Sequence, residues 1–131
     1  MEYQRKKGNR YILPNDIYQK TIWTIRGYYR RQEEMDNIIH ESPAPSDGMP
    51  RGTAISDIVA NKAERREKYL DQNRAIDLAL KNVPEEYRQA VWMNTVYREP
   101  FIRFCEYSDR STCGRWKSKF VCEVAERLKI I

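Results

Sequence analysis

Apolar residues recur along this chain at spacings of three and four, and nowhere in sustained alternation. In "NDIYQKTIWTIRGYYRRQEEMDNIIHE", residues 15–41, Ile17, Thr21, Ile25, Tyr28, Met35 and Ile39 fall close to one side of a helix. Asn15 and Asp16 are suited to capping its start. The pattern predicts one long helix, on the order of 40 Å at about 1.5 Å per residue. Gly27 is an unfavourable residue within it. A second stripe, Val59, Ala63, Arg66, Leu70, Asn73, Ile76 and Leu80, predicts a helix over about 57–82, with Ser56 or Asp57 as cap and Pro84 as its stop.

Between these two helices, "SPAPSDGMPRGTAIS" (42–56) holds three prolines and two glycines, which exclude a regular element through it. It reads as an ordered loop whose prolines and Met49 cover apolar surface. Two long helices joined by one loop should pack as an antiparallel hairpin. Arg66 and Asn73 put polar groups on the inner stripe, so a second hairpin packing against the first is expected, making a homodimer.

"PEEYRQAVWMNTVYR" (84–98) predicts a third helix, with Pro84 at or near its first position and Glu85 and Glu86 at the positive end of its dipole. Tyr87, Val91, Trp92 and Val96 supply its packing face, and Pro100 ends it. The last helix runs from about 110 to 128 behind Asp109, the best cap. Cys113, Trp116, Phe120, Val121, Val124 and Leu128 form its packing stripe. Ser111, Arg115, Ser118, Lys119 and Cys122 lie opposite, with Thr112 at the border. Lys117 falls among the apolar positions, where its stem would run along the edge; Arg127 also lies near the packing side. The chain is predicted to be all-α.

Composition narrows the function. With 33% charged residues the chain is very polar, but nine Tyr, three Trp and three Phe spread along 131 residues give it a modest core to bury. No apolar run approaches the roughly 20 residues a bilayer needs. "MEYQRKKGNRY" carries charge with no apolar stretch behind it, so no secretion signal is expected. Cys105, Cys113 and Cys122 then read as free thiols in a reducing cytoplasm. One histidine, His40, and no CxxC pair leave no zinc ligand set, so neither a metal nor another cofactor is expected. No cysteine has a histidine close in sequence, and glycine-rich phosphate loops and GxSxG turns are missing, so no enzyme is expected. Glu33, Glu34 and Asp36 run together with Arg30 and Arg31, which reads as a solvated helix face.

The net charge of +5 is unevenly placed. Residues 1–13 hold four basic groups against one acid, and residues 110–131 hold six against two. Two basic ends on a near-neutral body suit a polyanion. The first ten residues read as a solvated tail, whereas the C-terminal excess falls on a helix. Hydroxyl residues in that helix's first turn, followed by outward cations, match the composition of a helix that reads DNA, and equally that of an ordinary solvated helix face.

"VPEEYR" at 83–88 resembles the opening of the C-terminal helix-turn-helix region of bacterial sigma factors. "DRSTCGRWKSKF" at 109–120 resembles the recognition-helix segment of phage-encoded transcriptional regulators of the RinA and ArpU types. The layout of long N-terminal helices, "SPAPSDGMPRG" and this C-terminal unit is similar to small prophage proteins of Firmicutes. The resemblance implies a helical hairpin over 1–83, a short helix-turn-helix-like unit over 84–131, and a cytoplasmic regulator that binds duplex DNA, with RNA polymerase left open as a direct partner. Carried onto this chain, it implies DNA contacts at Arg110, Ser111, Thr112, Arg115 and Ser118, with Lys119 toward the phosphates. One departure is visible: "FIRFCEYS" (101–108) leaves about two turns for the helix that normally precedes a recognition helix. Two alternatives stay open. One is a DNA-packaging protein of the small-terminase kind. The other is a protein-interaction module that uses the 42–56 loop.

Overall fold

Helical spacing yields helices. The computed structural model describes residues 4, 11–40, 52–106 and 109–131, and its elements are α1 (Asn15–Arg26), α2 (Tyr28–His40), α3 (Gly52–Lys81), α4 (Glu85–Tyr97), one 3₁₀ turn (Phe101–Arg103) and α5 (Arg110–Arg127). No strand occurs among the described residues, and the fold is all-α. None of their helices is long and apolar enough to cross a membrane. Residues 1–3 and 5–10 of the basic tail, loop residues 42–51, and the side chains of Ile39, His40, Ser56, Asp57 and Val59 lie outside the described residues. Helix α3 begins at Gly52, five residues before the predicted start and inside the stretch expected to be loop, as soon as the last proline, Pro50, is passed.

The long first helix expected over 15–41 is divided at Gly27. Gly27 N–H is shared between Trp23 O and Thr24 O at 3.2 Å each. Arg31, one turn on, folds its side chain back across the break. Its Nη2 donates to Thr24 O, and its Nε donates to Asn73 Oδ1 at 2.8 Å. Asn73 Nδ2 in turn donates to Tyr28 O at 3.1 Å. Arg31 and Asn73 are 3% and 4% exposed, so a polar cluster is built into the contact of α2 with α3. A side chain at Gly27 would stand 2.6 Å from Arg31 Nη1, so the glycine makes the space the guanidinium occupies. Burial, with Arg30 adding to it, pulls the Arg31 pKa below its ordinary value. Arg31 therefore departs from the solvated face expected of its charge run, while Glu33 and Asp36 are exposed and Arg30 pairs with Glu34 at 2.9 Å.

The cap of α1 also differs. Pro14 holds the N-cap position in extended geometry, and Asn15 and Asp16 are already helical and cap nothing. Asn73, the polar position that argued for a second copy of the chain, finds its partners within one chain.

The core joins both predicted units. Leu13, Ile22 and Ile25 meet Ile76, Ala79 and Val83 of the α3 end, Val91 of α4, and Phe120, Val121 and Val124 of α5. Helices α1, α3 and α4 all pack on α5, which makes α5 the central helix. Trp92 adds an aromatic joint, edge-on to Tyr28 at 5.2 Å, Tyr29 at 5.9 Å and Phe120 at 6.5 Å. Its Nε1 donates to Tyr29 Oη at 3.0 Å. Such edge-to-face pairs contribute about 0.5–1.5 kcal/mol each beyond area burial.

Candidate nucleic-acid interface

The chain reaches α5 through a tight junction. Helix α4 ends on Arg98 in the left-handed region, φ 59°, with Arg98 N–H bonded to Asn94 O at 3.1 Å and Glu99 N–H to Met93 O at 3.2 Å. Pro100 is extended, and the 3₁₀ turn follows. One described turn thus stands where a standard helix-turn-helix has a whole helix. Asp109 sits directly before α5 with φ −90° and ψ −2°, and its side chain makes no cap bond. Capping needs an extended backbone at that residue, which Asp109 lacks. The first turn of α5 contains no acid, so Asp109, just before it, supplies the carboxylate at the positive end of its dipole.

The six candidate residues share the N-terminal half of α5 but divide between two places. Arg110, Ser111 and Arg115 are exposed, while Thr112, Ser118 and Lys119 are half-buried. Thr112, Arg115 and Lys119 lie on one i, i+3, i+7 line, exposed at Arg115 and half-buried at its two ends. No hydrogen bond, ion pair or ring contact among the described residues holds Arg115. The Lys119 ammonium lies 5.1 Å over the Trp116 ring. Arg110, Ser111 and Ser118 instead turn toward a cleft of about 360 Å³ between α1, α4, the 3₁₀ turn and α5, lined also by Asn94, Phe101 and Lys117.

Lys117, expected to have no role, stands on that wall. Its Nζ donates to Asn94 Oδ1 at 2.8 Å, and Asn94 Nδ2 donates to Glu99 O at 2.8 Å, tying α5 to the end of α4. The placement follows from spacing, since Lys117 lies three residues after Gly114 and one before Ser118 on the same wall. Cys122, expected to face outward, is 8% exposed. Burial, with the nearby Glu126 carboxylate, pushes its thiol pKa up. Arg127, expected near the packing side, is exposed and pairs with Glu123 at 3.7 Å. The cations of α5 thus stand mostly toward its start, and its acids Glu123 and Glu126 toward its end.

No family model, curated protein or solved structure matches the chain.

Proposed function

We propose that this chain binds duplex DNA through the N-terminal half of α5 and works in the cytoplasm as a phage-type transcriptional regulator. The observation that carries the reading is the line Thr112, Arg115 and Lys119. It stands beside exposed Arg110 and Ser111, in a first turn that contains no acid. The arginine fork of Arg115 suits the O6 and N7 of guanine, and Lys119 and the first-turn groups suit phosphates. The motifs "VPEEYR" and "DRSTCGRWKSKF" support the same class. A homodimer would present two such helices to half-sites about one DNA turn apart.

Fluorescence anisotropy with duplex DNA, titrated with salt, tests the reading. Affinity should fall with a log–log slope of about −0.9 per phosphate contacted. Arg115→Ala should cost roughly 1–3 kcal/mol on the specific sequence and little on a scrambled one. Absence of binding even at low salt overturns it. Light scattering separates the packaging alternative, which needs a ring rather than a dimer.

A second reading has its own observation. Tyr29 and Tyr97, 46% and 52% exposed, stack at 6.4 Å, and Trp23 on α1 is 63% exposed; exposed aromatics suit a protein partner. Loss of partner capture on Trp23→Ala, with DNA binding absent, would favour that module.

A further inference from the structure

Two of the three cysteines meet at the junction that presents α5. Cys105 follows the 3₁₀ turn, and both its N–H (3.0 Å) and its thiol (3.1 Å) bond to Phe101 O. Cys113, on the inner side of α5's first turns, is fully buried. Its thiol donates to Cys105 Sγ at 3.2 Å. That is about 1.2 Å beyond the ~2.0 Å of a sulfur–sulfur bond, so small side-chain adjustments bring the pair within bonding reach. Cys122 lies further along α5 with its sulfur 3.7 Å from Glu126 Oε1.

We propose that Cys105 and Cys113 form a thiol-modification site that reacts with low-molecular-weight disulfides, Cys105 accepting the adduct and Cys113 resolving it to an internal disulfide. The order follows from access: Cys105 is partly exposed and Cys113 is not. In the first step the Cys105 thiolate attacks one sulfur of RS–SR. The S–S bond breaks, and RS⁻ leaves and takes up the proton Cys105 lost. In the second step Cys113 gives up its proton and attacks Cys105 Sγ, the sulfur it already touches, and a second RSH departs. The net change is two protein thiols oxidised to one disulfide and one external disulfide reduced to two thiols.

Burial first, and the Cys105 contact second, push the Cys113 thiol up to about 12, which keeps it protonated and unable to start the exchange. The adduct removes the Cys105 contribution but not the burial, so resolution is the slower step and the mixed disulfide passes through a transient maximum. The bridge closes residues 105–113 into a ring around the start of α5.

The test is chemical and independent of DNA binding. The native protein is incubated with oxidised glutathione, quenched with an alkylating agent, and read by intact mass and tryptic mapping. The expected product has lost two hydrogens and keeps one alkylatable thiol, Cys122. Cleavage at Arg110 then yields 104–110 linked to 111–115, and dithiothreitol reverses the linkage. Cys113→Ser should stop at a stable glutathione adduct on Cys105, and Cys105→Ser should yield neither adduct nor bridge. The wild-type map decides even where Cys113→Ser folds poorly. Three thiols still free, a persistent wild-type adduct, or a linkage to Cys122 or to a second chain would each overturn the proposal.

Discussion

Arg31 shows what one side chain can do to a helix. A cation 3% exposed needs its donors satisfied, and Thr24 O and Asn73 Oδ1 satisfy it because Gly27 leaves space. Alanine is ordinarily better than glycine in a helix by about 1 kcal/mol. Here the added Cβ meets Arg31 Nη1 at 2.6 Å, and that guanidinium is anchored rather than loose. Gly27→Ala is therefore expected to lower the unfolding free energy by about 1–2 kcal/mol in urea titrations. In an Arg31→Met background the same change should be neutral or stabilising, and equal losses in both backgrounds would sink the explanation. Gly27 was legible in the sequence as a poor helix residue. Arg31 was not, because helical periodicity cannot tell a solvated charge from one folded across a break.

Tyr28, beside that break, carries a pH prediction. Its hydroxyl donates to Asp77 Oδ1 at 2.8 Å and accepts from Gln32 Nε2 at 3.1 Å. Burial, then the Asp77 bond and charge, push its pKa from 10.0 to about 12. The folded state thus holds this proton more tightly than the unfolded state does. Its contribution is fully present below the unfolded value of 10.0 and is lost as pH rises toward about 12. The stability difference between wild type and Tyr28→Phe should shrink over that window and stay constant from pH ~7 to ~9. Chemical denaturation at a series of pH values reads it, and a flat difference through pH ~11 would remove the cause assigned here.

At the scale of elements, the inner stripe of α5 was legible because one helical period places Cys113, Phe120, Val121 and Val124 together, and all four are buried. Cys122 and Lys117 were misplaced for one reason. A helical wheel assumes one packing side, whereas α5 is covered by α1, α3 and α4 on more than one. Of the candidate residues on α5, Arg110, Ser111 and Arg115 are exposed, and Thr112, Ser118 and Lys119 are half-buried. The end of α4 was legible only in part. Pro100 announced a stop, but nothing in "YREP" told that Arg98 takes the left-handed conformation, φ 59°. That geometry costs a residue with a Cβ about 1–2 kcal/mol, and glycine avoids it at the expense of a more flexible unfolded chain. Arg98→Gly should raise stability by a net ~0.5 kcal/mol, read as a higher thermal midpoint. A lowered midpoint would mean that the side chain's own contacts outweigh the strain.

Across the whole molecule, the division at residue 83 suggested by the motifs meets a core that disregards it. Ile22 and Ile25 before the division pack with Val91, Phe120 and Val124 after it, and Trp92 rests on Tyr28 and Tyr29. Sequence periodicity reports which side of each helix is apolar, but the pairing of those sides depends on the kink at Gly27, which turns α1 toward α4 and α5 while α2 stays on α3. A shared core implies shared cooperativity, because neither part can lose its packing without exposing the apolar surface of the other. Thermal unfolding followed by far-ultraviolet circular dichroism and by tryptophan fluorescence should give coincident midpoints. Trp92 and Trp116, both half-buried against the core, report the later part of the chain, and the helical signal reports all of it. Cutting the coupling at Trp92 with Trp92→Ala should lower both midpoints together, by a loss of about 1–3 kcal/mol. Two separated transitions in the wild type would instead make 1–83 and 84–131 independent units. Helix α5 would then belong to a detachable module rather than act as the central strut of the fold.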